Sequence, residues 1–241
     1  MRIVPVPVWS DNYAYLLIDE KAGFAKMRIV PVPVWSDNYA YLLIDEKAGF
    51  DHAGGNVKMT ELIPGLTVYG GDNRIPAMTS PLNGGEEFTL GSLKITAIRT
   101  FGHTDSSISY YVQDGDDKAV FTGDTLFIAG CGRLFEGTPE QMYDSLNIKL
   151  ASLPEDTKVY VGHEYTKSNI RFALSVDPNN SRLKEMADIY NQSKMTVPST
   201  IKIELETNPF MRVTDPAIQK VTGETDPVKV LGALRSMKDK F

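Results

Sequence analysis

The feature that most constrains this chain is an exact internal repeat at its start. Residues 1–24 recur without a single change at residues 27–50, and only Ala25 and Lys26 separate the two copies. Solenoids contain three or more diverged copies, so a perfect doublet does not predict a repeat fold. The doublet indicates either a recent duplication or a splicing or assembly error.

Each copy is typical of a β-hairpin. In the first copy, residues 3–8 and 13–18 are rich in β-formers and flank a Ser-Asp-Asn turn. The prolines at positions 5 and 7 favour an edge strand, because proline has no amide hydrogen to donate to the ladder. The same prediction holds for the second copy.

The middle of the chain predicts short strands separated by turns. Gly91-Ser92 and Asp114-Gly115 are hairpin turn signals between apolar segments. The predicted strands are residues 88–90, 93–98, 108–112, 119–122 and 159–161.

Helices are predicted after residue 138. Thr138 and Gln141 form a capping box with Pro139 at the first helical position. A last helix begins at Asp226-Pro227. The apolar stripes at helical spacing are Met142, Leu146, Leu150 and Leu153; Leu183, Met186 and Tyr190; and Val228, Leu231, Leu234 and Met237. Because the predicted strands come first along the chain and the predicted helices last, the sequence predicts an α+β protein with a helical C-terminal part.

Composition narrows the class of protein. A chain of 241 residues with 42% hydrophobic residues can bury a substantial core in one domain, or in one domain with a small appendage. A net charge of −6 argues against nucleic-acid binding. The single cysteine, Cys131, cannot form a disulfide within the chain, which suits a reducing compartment. The sequence contains no run of 18 apolar residues, so we expect no membrane-spanning helix. With no signal or transit pattern at the N-terminus, we expect a cytoplasmic protein.

The chain has three histidines, and two of them share a local pattern with an aspartate. His103, Asp124 and His163 each follow a glycine and an apolar, strand-like run, while His52 follows Asp51. Side chains in short loops at strand ends often bind metals or substrates. One such histidine alone would be an ordinary structural residue. Four similar sites favour a metal cluster of imidazole and carboxylate ligands, which suit zinc or a similar metal.

Several motifs together resemble the glyoxalase II family, the hydroxyacylglutathione hydrolases of the metallo-β-lactamase fold. Their order and spacing match that family. They are residues 51–56 (Asp-His-Ala-Gly-Gly-Asn), 102–104 (Gly-His-Thr), 121–127 (Phe-Thr-Gly-Asp-Thr-Leu-Phe), 130–132 (Gly-Cys-Gly), 162–166 (Gly-His-Glu-Tyr-Thr) and 208–212 (Asn-Pro-Phe-Met-Arg).

The resemblance implies a four-layered αβ/βα sandwich, with two metals at one edge and a helical domain that helps to bind glutathione. We expect an extra duplicated segment at residues 1–26, a metallo-β-lactamase-like domain at 27–165 and a helical glutathione-binding domain at 166–241. The sandwich is expected to be incomplete on its N-terminal side. The implied partner is a small glutathione thioester, and a monomer is expected.

The resemblance also implies the metal ligands. One site is complete, with Asp51, His52, Asp124 and His163. The other keeps only His103 and the shared Asp124, because its two histidines would precede Asp51, where residues 45–50 contain none. We therefore expect one Zn²⁺ or none, with iron or manganese as alternatives. Asp124 and His103 are the predicted catalytic residues.

The βαβ crossover that precedes the metal motif in the family is also missing from this sequence. In the family a third strand, a helix and a fourth strand return the chain to the metal edge, and such a unit needs roughly 30 residues. Only residues 45–50 separate the second hairpin from Asp51. We therefore expect Asp51 to lie away from the other ligands, one copy of the repeat to pair irregularly, and apolar sheet to be exposed where the helix is missing.

The implied activity is hydrolysis of S-2-hydroxyacylglutathione thioesters, such as S-lactoylglutathione, impaired in this chain. The alternative is a non-catalytic or defective variant that binds glutathione thioesters. Without the resemblance, Arg235 and Lys238 could simply be charges near the C-terminus of the last helix that interact favourably with its dipole. Phe135 stands where the family usually has tyrosine, and Arg133 where it commonly has lysine. The implied substrate-binding residues are Arg133, Phe135, Tyr165, Arg235 and Lys238.

Overall fold

The structure is a computed structural model, and it describes residues 2–8, 12–18, 33–34, 38–39, 56–62 and 64–241. The predicted α+β class with a helical C-terminal part is confirmed. The strands are β1 (Arg2–Val8), β2 (Asn12–Ile18), β3 (Pro33–Val34), β4 (Asn38–Tyr39), β5 (Tyr69–Gly70), β6 (Ser80–Pro81), β7 (Glu87–Leu90), β8 (Leu93–Arg99), β9 (Ile108–Asp114), β10 (Asp117–Phe121), β11 (Leu126–Phe127), β12 (Gly130–Cys131), β13 (Lys158–Tyr160) and β14 (Ser199–Thr200).

Six of these strands form one mixed sheet in the order β14-β13-β10-β9-β8-β7. The chain from β7 to β10 is a meander of antiparallel pairs. The β7–β8 and β9–β10 turns lie at the two predicted hairpin signals, and residues 100–107 connect β8 to β9. β13 then pairs with β10 in parallel. As a result β8, β10 and β13 all run in the same direction, and their carboxyl ends lie at one edge of the sheet.

The helices are α1 (Asn56–Leu62), α2 (Pro139–Tyr143), α3 (Thr166–Val176), α4 (Ser181–Tyr190), α5 (Ile201–Thr207), α6 (Pro216–Thr222) and α7 (Pro227–Asp239). The predicted capping box is present, because Gln141 N donates to Thr138 Oγ1 and Thr138 N donates to Gln141 Oε1. A π-helix at Asp144–Lys149 and a short 3₁₀ helix at Leu150–Ser152 continue α2. None of the described helices is both long enough and apolar enough to cross a membrane.

The stripe predicted for the last helix is partly wrong. Leu231 and Leu234 are fully buried as predicted, but Met237 is 36% exposed. The buried face of α7 consists of Val230, Leu231, Leu234 and Arg235. Sequence periodicity missed this face because it includes a charged residue, which a search for apolar residues passes over.

The two copies of the repeat show their predicted hairpin pairing. β1 pairs with β2 over seven residue pairs, and Ile3 packs against the main hydrophobic core. β3 pairs with β4 at Pro33↔Tyr39 and Val34↔Asn38. The expected irregular pairing of one copy stays a prediction, because most of the second copy lies outside the described residues.

Candidate metal centre

Three predicted ligands converge at one edge of the six-stranded sheet. His103, Asp124 and His163 follow the carboxyl ends of β8, β10 and β13. Because these strands run in the same direction, the loops that follow them meet at the same edge. The sequence pattern of an apolar run followed by glycine and a polar residue thus brings the three side chains together.

Both imidazoles face one carboxylate oxygen. Nε2 of His163 lies 3.1 Å from Oδ2 of Asp124, and Nε2 of His103 lies 3.7 Å from the same atom. Asp124 and His163 are buried, with 7% and 6% of their surfaces exposed. The carboxylate and the two imidazoles are therefore direct neighbours that are largely withdrawn from solvent.

A backbone carbonyl sets the tautomer of His103. Its Nδ1 lies 2.8 Å from the carbonyl oxygen of Arg133. A carbonyl oxygen only accepts hydrogen bonds, so Nδ1 carries the proton and Nε2 of the neutral ring is an acceptor directed at Asp124. Metal-ligating histidines commonly donate their other ring N–H to a carbonyl in this way.

Two glycines allow the backbone to pack closely on Asp124. A Cβ at Gly132 would lie 2.0 Å from the carbonyl oxygen of Asp124 and 2.8 Å from Nδ1 of His103. A Cβ at Gly162 would lie 2.3 Å from Oδ1 of Asp124. Any side chain at either position would therefore displace the aspartate or the histidine.

The three side chains fit part of a metal site. Ligand atoms bound to one tetrahedral zinc ion at 2.0–2.1 Å lie about 3.3 Å apart, close to the two separations measured here. A cation would also stabilise the unprotonated Nε2 of His103 facing the carboxylate of Asp124. Within the described part of the chain, however, no group of three or more such residues is placed to hold an ion unaided. The remaining predicted ligands, Asp51 and His52, lie outside the described residues.

Aromatic rings cover both histidines. Tyr165 stacks on His163 with 4.8 Å between ring centroids and an interplanar angle of 3°. Phe127, which the sequence analysis did not single out, contacts the rings of His163 and Tyr165 edge-on. Phe135 lies 4.9 Å from His103 and is 63% exposed. Tyr165 and Phe135, both predicted to bind substrate, thus flank the metal ligands and present surface to solvent.

The predicted cationic residues meet near the end of α7. Nε of Arg133 lies 3.4 Å from Oδ1 of Asp239, and Nη2 of Arg235 donates to the same oxygen at 3.0 Å. Burial, followed by the neighbouring Arg235, lowers the pKa of Lys238 to about 8. Arg235 is itself buried, so it is not the solvent-exposed helix charge that a simple dipole role would require.

Sequence reasoning missed a buried polar cluster next to this site. Glu204 on α5 is fully buried and accepts hydrogen bonds from Ala129 N at 2.9 Å and Asn208 Nδ2 at 3.0 Å. Burial raises the pKa of Glu204 to about 7. The only sequence signal was Asn208, which begins the motif at residues 208–212.

Two family models match adjacent parts of the chain. One, described as the metallo-beta-lactamase superfamily, matches residues 35–163. The other, described as the hydroxyacylglutathione hydrolase C-terminus, matches residues 164–241. The cytoplasmic hydroxyacylglutathione hydrolase of Arabidopsis thaliana is 43% identical over 256 residues, covering 100% of this chain and 99% of that protein. The chain belongs to the hydroxyacylglutathione hydrolase family.

Other comparisons agree with this family. The hydroxyacylglutathione hydrolase of Dictyostelium discoideum is 40% identical over 269 residues, with 100% of each chain covered. Among solved structures, the crystal structure of ETHE1 from Myxococcus xanthus matches with a TM-score of 0.64 at 24% sequence identity, covering 98% of this chain and 91% of that one. That likeness shows the fold, and the predicted metallo-β-lactamase fold is confirmed.

Proposed function

We propose that this chain hydrolyses S-2-hydroxyacylglutathione thioesters, such as S-lactoylglutathione, to glutathione and a 2-hydroxy acid. The observation that carries the proposal is the convergence of His103 and His163 on Asp124 in a hydroxyacylglutathione hydrolase family member. In the reaction water adds to the thioester carbonyl carbon, the C–S bond breaks, and glutathione leaves with the sulfur.

The metal ligands would be Asp124 and His163 together with Asp51 and His52, while His103 and Asp124 are what remains of a second site. When bound at such residues, a zinc ion lowers the pKa of a water and polarises the carbonyl of the substrate. Iron and manganese are alternatives with similar ligand chemistry. Asp124 contributes negative charge to both sites, and His103 is kept in the tautomer that can bind a metal through Nε2.

The glutathione portion would be bound by residues that are already close together. Arg133, Arg235 and Lys238 provide positive charge for the carboxylates of glutathione. The exposed faces of Tyr165 and Phe135 lie beside the two histidines and would contact the substrate. Phe135 has no hydroxyl group, so it would contribute contact area rather than a hydrogen bond.

We further propose that hydrolysis is impaired. A complete pair of sites needs two more histidines than the three in this chain. The Arabidopsis alignment extends over 256 residues while the chain has 241, so at least 15 aligned positions have no residue here. Both facts support the loss of a crossover and of one metal. Loss of one electrophilic contact costs on the order of 10²–10³ in rate, by analogy with single oxyanion donors.

The absent histidine pair also favours a second candidate, a non-catalytic protein that binds glutathione thioesters. Purified chain supplied with Zn²⁺ should be assayed for S-lactoylglutathione loss and, by calorimetry, for binding of an S-blocked glutathione. Slow turnover with binding supports the impaired enzyme, while binding without turnover supports the second candidate. Rates equal to those of an intact relative would contradict the impairment, and absence of both activities would contradict the proposed function.

We propose the domain division that was predicted from the sequence: an extra segment at residues 1–26, a catalytic domain at 27–165 and a helical domain at 166–241. The adjacent family matches at 35–163 and 164–241 support the second boundary. The name of the Arabidopsis relative supports a cytoplasmic location. A monomer is proposed and can be checked by light scattering.

A further inference from the structure

The segment at residues 127–133 connects the helical part of the chain to the metal centre. Besides the short pairing of β11 with β12, several of its backbone carbonyl groups accept hydrogen bonds from side chains of the helical part. Asn208 Nδ2 donates to the carbonyl oxygens of Phe127 at 3.1 Å and Gly130 at 2.9 Å. Asn169 Nδ2 donates to the carbonyl of Ile128 at 3.0 Å.

Further contacts from the helical part complete this attachment. Glu204 accepts from the backbone N–H of Ala129, which has a φ of 55° in the left-handed region. Such a conformation is uncommon for alanine, so it needs support from its surroundings. Arg235 Nη1 donates to the carbonyl of Cys131 at 2.7 Å. Residues from α3, α5 and α7, together with Asn208 at the end of α5, therefore support the path of this short segment.

The far end of the same segment contacts two predicted metal ligands. Gly132 packs so closely on Asp124 and His103 that a single methyl group would not fit. The next residue, Arg133, accepts the Nδ1–H of His103 with its carbonyl oxygen. A displacement of the segment would therefore move the acceptor that selects the tautomer of His103.

We propose that Asn208 is a positioning residue for the metal centre: by holding the carbonyls of Phe127 and Gly130, it keeps Arg133 O in place to orient His103. Asn208 is fully buried and also caps the 3₁₀ helix Pro209–Met211, through a bond from Phe210 N to its Oδ1 at 3.0 Å. Its side chain thus links the helical part to the segment by bonds that a hydrophobic residue cannot make. The proposal deepens the proposed function and rests on it for its catalytic meaning.

The test reads the imidazole directly, so that it does not depend on hydrolysis. Because the chain has three histidines, long-range ¹H–¹⁵N spectra of ¹⁵N-histidine-labelled, metal-free protein can be assigned by single substitutions. At a pH where the imidazoles are neutral, His103 should be the Nδ1–H tautomer in the unsubstituted chain. In Asn208→Ala the signal should shift to a mixture of both tautomers. Zn²⁺ affinity, where Zn²⁺ binds, should fall about 10- to 100-fold.

Asn147→Ala is the matched control. Asn147 Nδ2 donates to the carbonyl of Phe210 at 3.0 Å, so its loss perturbs the same short helix without touching residues 127–133. This variant should leave the His103 tautomer unchanged. If Asn208→Ala fails to fold, Asn169→Ala removes the single bond to Ile128 and should shift the tautomer in the same direction. A folded Asn208→Ala variant in which His103 remains entirely Nδ1–H would overturn the proposal, as would the same result for folded Asn169→Ala where Asn208→Ala does not fold, even if hydrolysis of S-lactoylglutathione is absent throughout.

Discussion

The two copies of the N-terminal repeat have the same sequence, and the structure describes the same pairing next to the turn in both. The first pairs over seven positions, from Arg2↔Ile18 to Val8↔Asn12. The second is described at two positions, Pro33↔Tyr39 and Val34↔Asn38. With an offset of 26 residues, these two pairs are the same pairs that lie next to the turn in the first copy.

This comparison separates local from tertiary causes. The register next to the turn is the same in both copies, which is expected where the turn sequence sets the register. Ile3 of the first copy also packs against the main core, so in that copy a tertiary contact adds to the local signal. The following predictions test whether metal binding, stability and substrate binding of the region after residue 64 depend on the repeat.

The largest expected effect is on metal binding. His163→Ala should remove the metal entirely, because Nε2 of His163 lies 3.1 Å from Oδ2 of Asp124, the ligand that both sites share. Introducing histidines as Lys47→His with Gly49→His, in the spacing of the family motif, should leave metal content at or below one equivalent, because the missing crossover would still keep that region from Asp124. Elemental analysis after removal of loosely bound metal measures both variants. Two equivalents in the double variant would show that the repeat reaches the metal centre.

A stability effect of about 3 kcal/mol is expected from Glu204, which belongs to the region after residue 64. Burial raises the pKa of Glu204 from 4.5 to about 7. Between these values the folded chain keeps a proton that the unfolded chain releases, so stability should fall as the pH rises through this window. Glu204→Gln should remove most of this dependence, because glutamine resembles the neutral acid.

Urea unfolding of both proteins at pH 5 and pH 8 measures the Glu204 effect. The difference in unfolding free energy between the two pH values should be smaller in Glu204→Gln than in the unsubstituted chain. Equal pH dependence in the two proteins would show that Glu204 does not titrate in this range.

A smaller stability effect tests the packing of the first copy on the core. Ile3→Ala should destabilise the chain by about 1–2 kcal/mol, less than the cost at a fully buried position because Ile3 is only partly buried. The equivalent change in the second copy, Ile29→Ala, is made in an identical local sequence and measures whether that position contributes as well. Chemical unfolding of both variants gives the two losses. An Ile3→Ala variant as stable as the unsubstituted chain would contradict the contact between Ile3 and the core.

The smallest effect concerns substrate binding, which should not depend on the structure of the repeat. Burial, followed by the neighbouring Arg235, lowers the pKa of Lys238 to about 8. Raising the pH from 7 to 9 should therefore neutralise Lys238 and weaken binding of an S-blocked glutathione by at most about tenfold, roughly 1.4 kcal/mol. Lys238→Arg should bind with little dependence on pH over this range. Calorimetric titrations that show the same dependence in both proteins would exclude this role for Lys238.

Much of the candidate site could be predicted from local sequence. The loops at His103, Asp124 and His163 each follow a strand that was recognisable from its apolar residues, and the structure brings all three together. The burial of Arg235 could not be predicted in this way. Its partners, the carbonyl of Cys131 and the carboxylate of Asp239, include a group 104 residues away in the chain.

By itself, the sequence determined the order of strands and helices, the hairpin turns, the capping box at Thr138 and the family. These features depend on residues within a few positions of one another, or on motifs that stay recognisable in any context. The tertiary structure alone decided which face of α7 is buried and how Asn208 and Glu204 hold residues 127–133. Burial and long-range hydrogen bonds depend on which residues from distant parts of the chain become neighbours, and local sequence does not specify those neighbours.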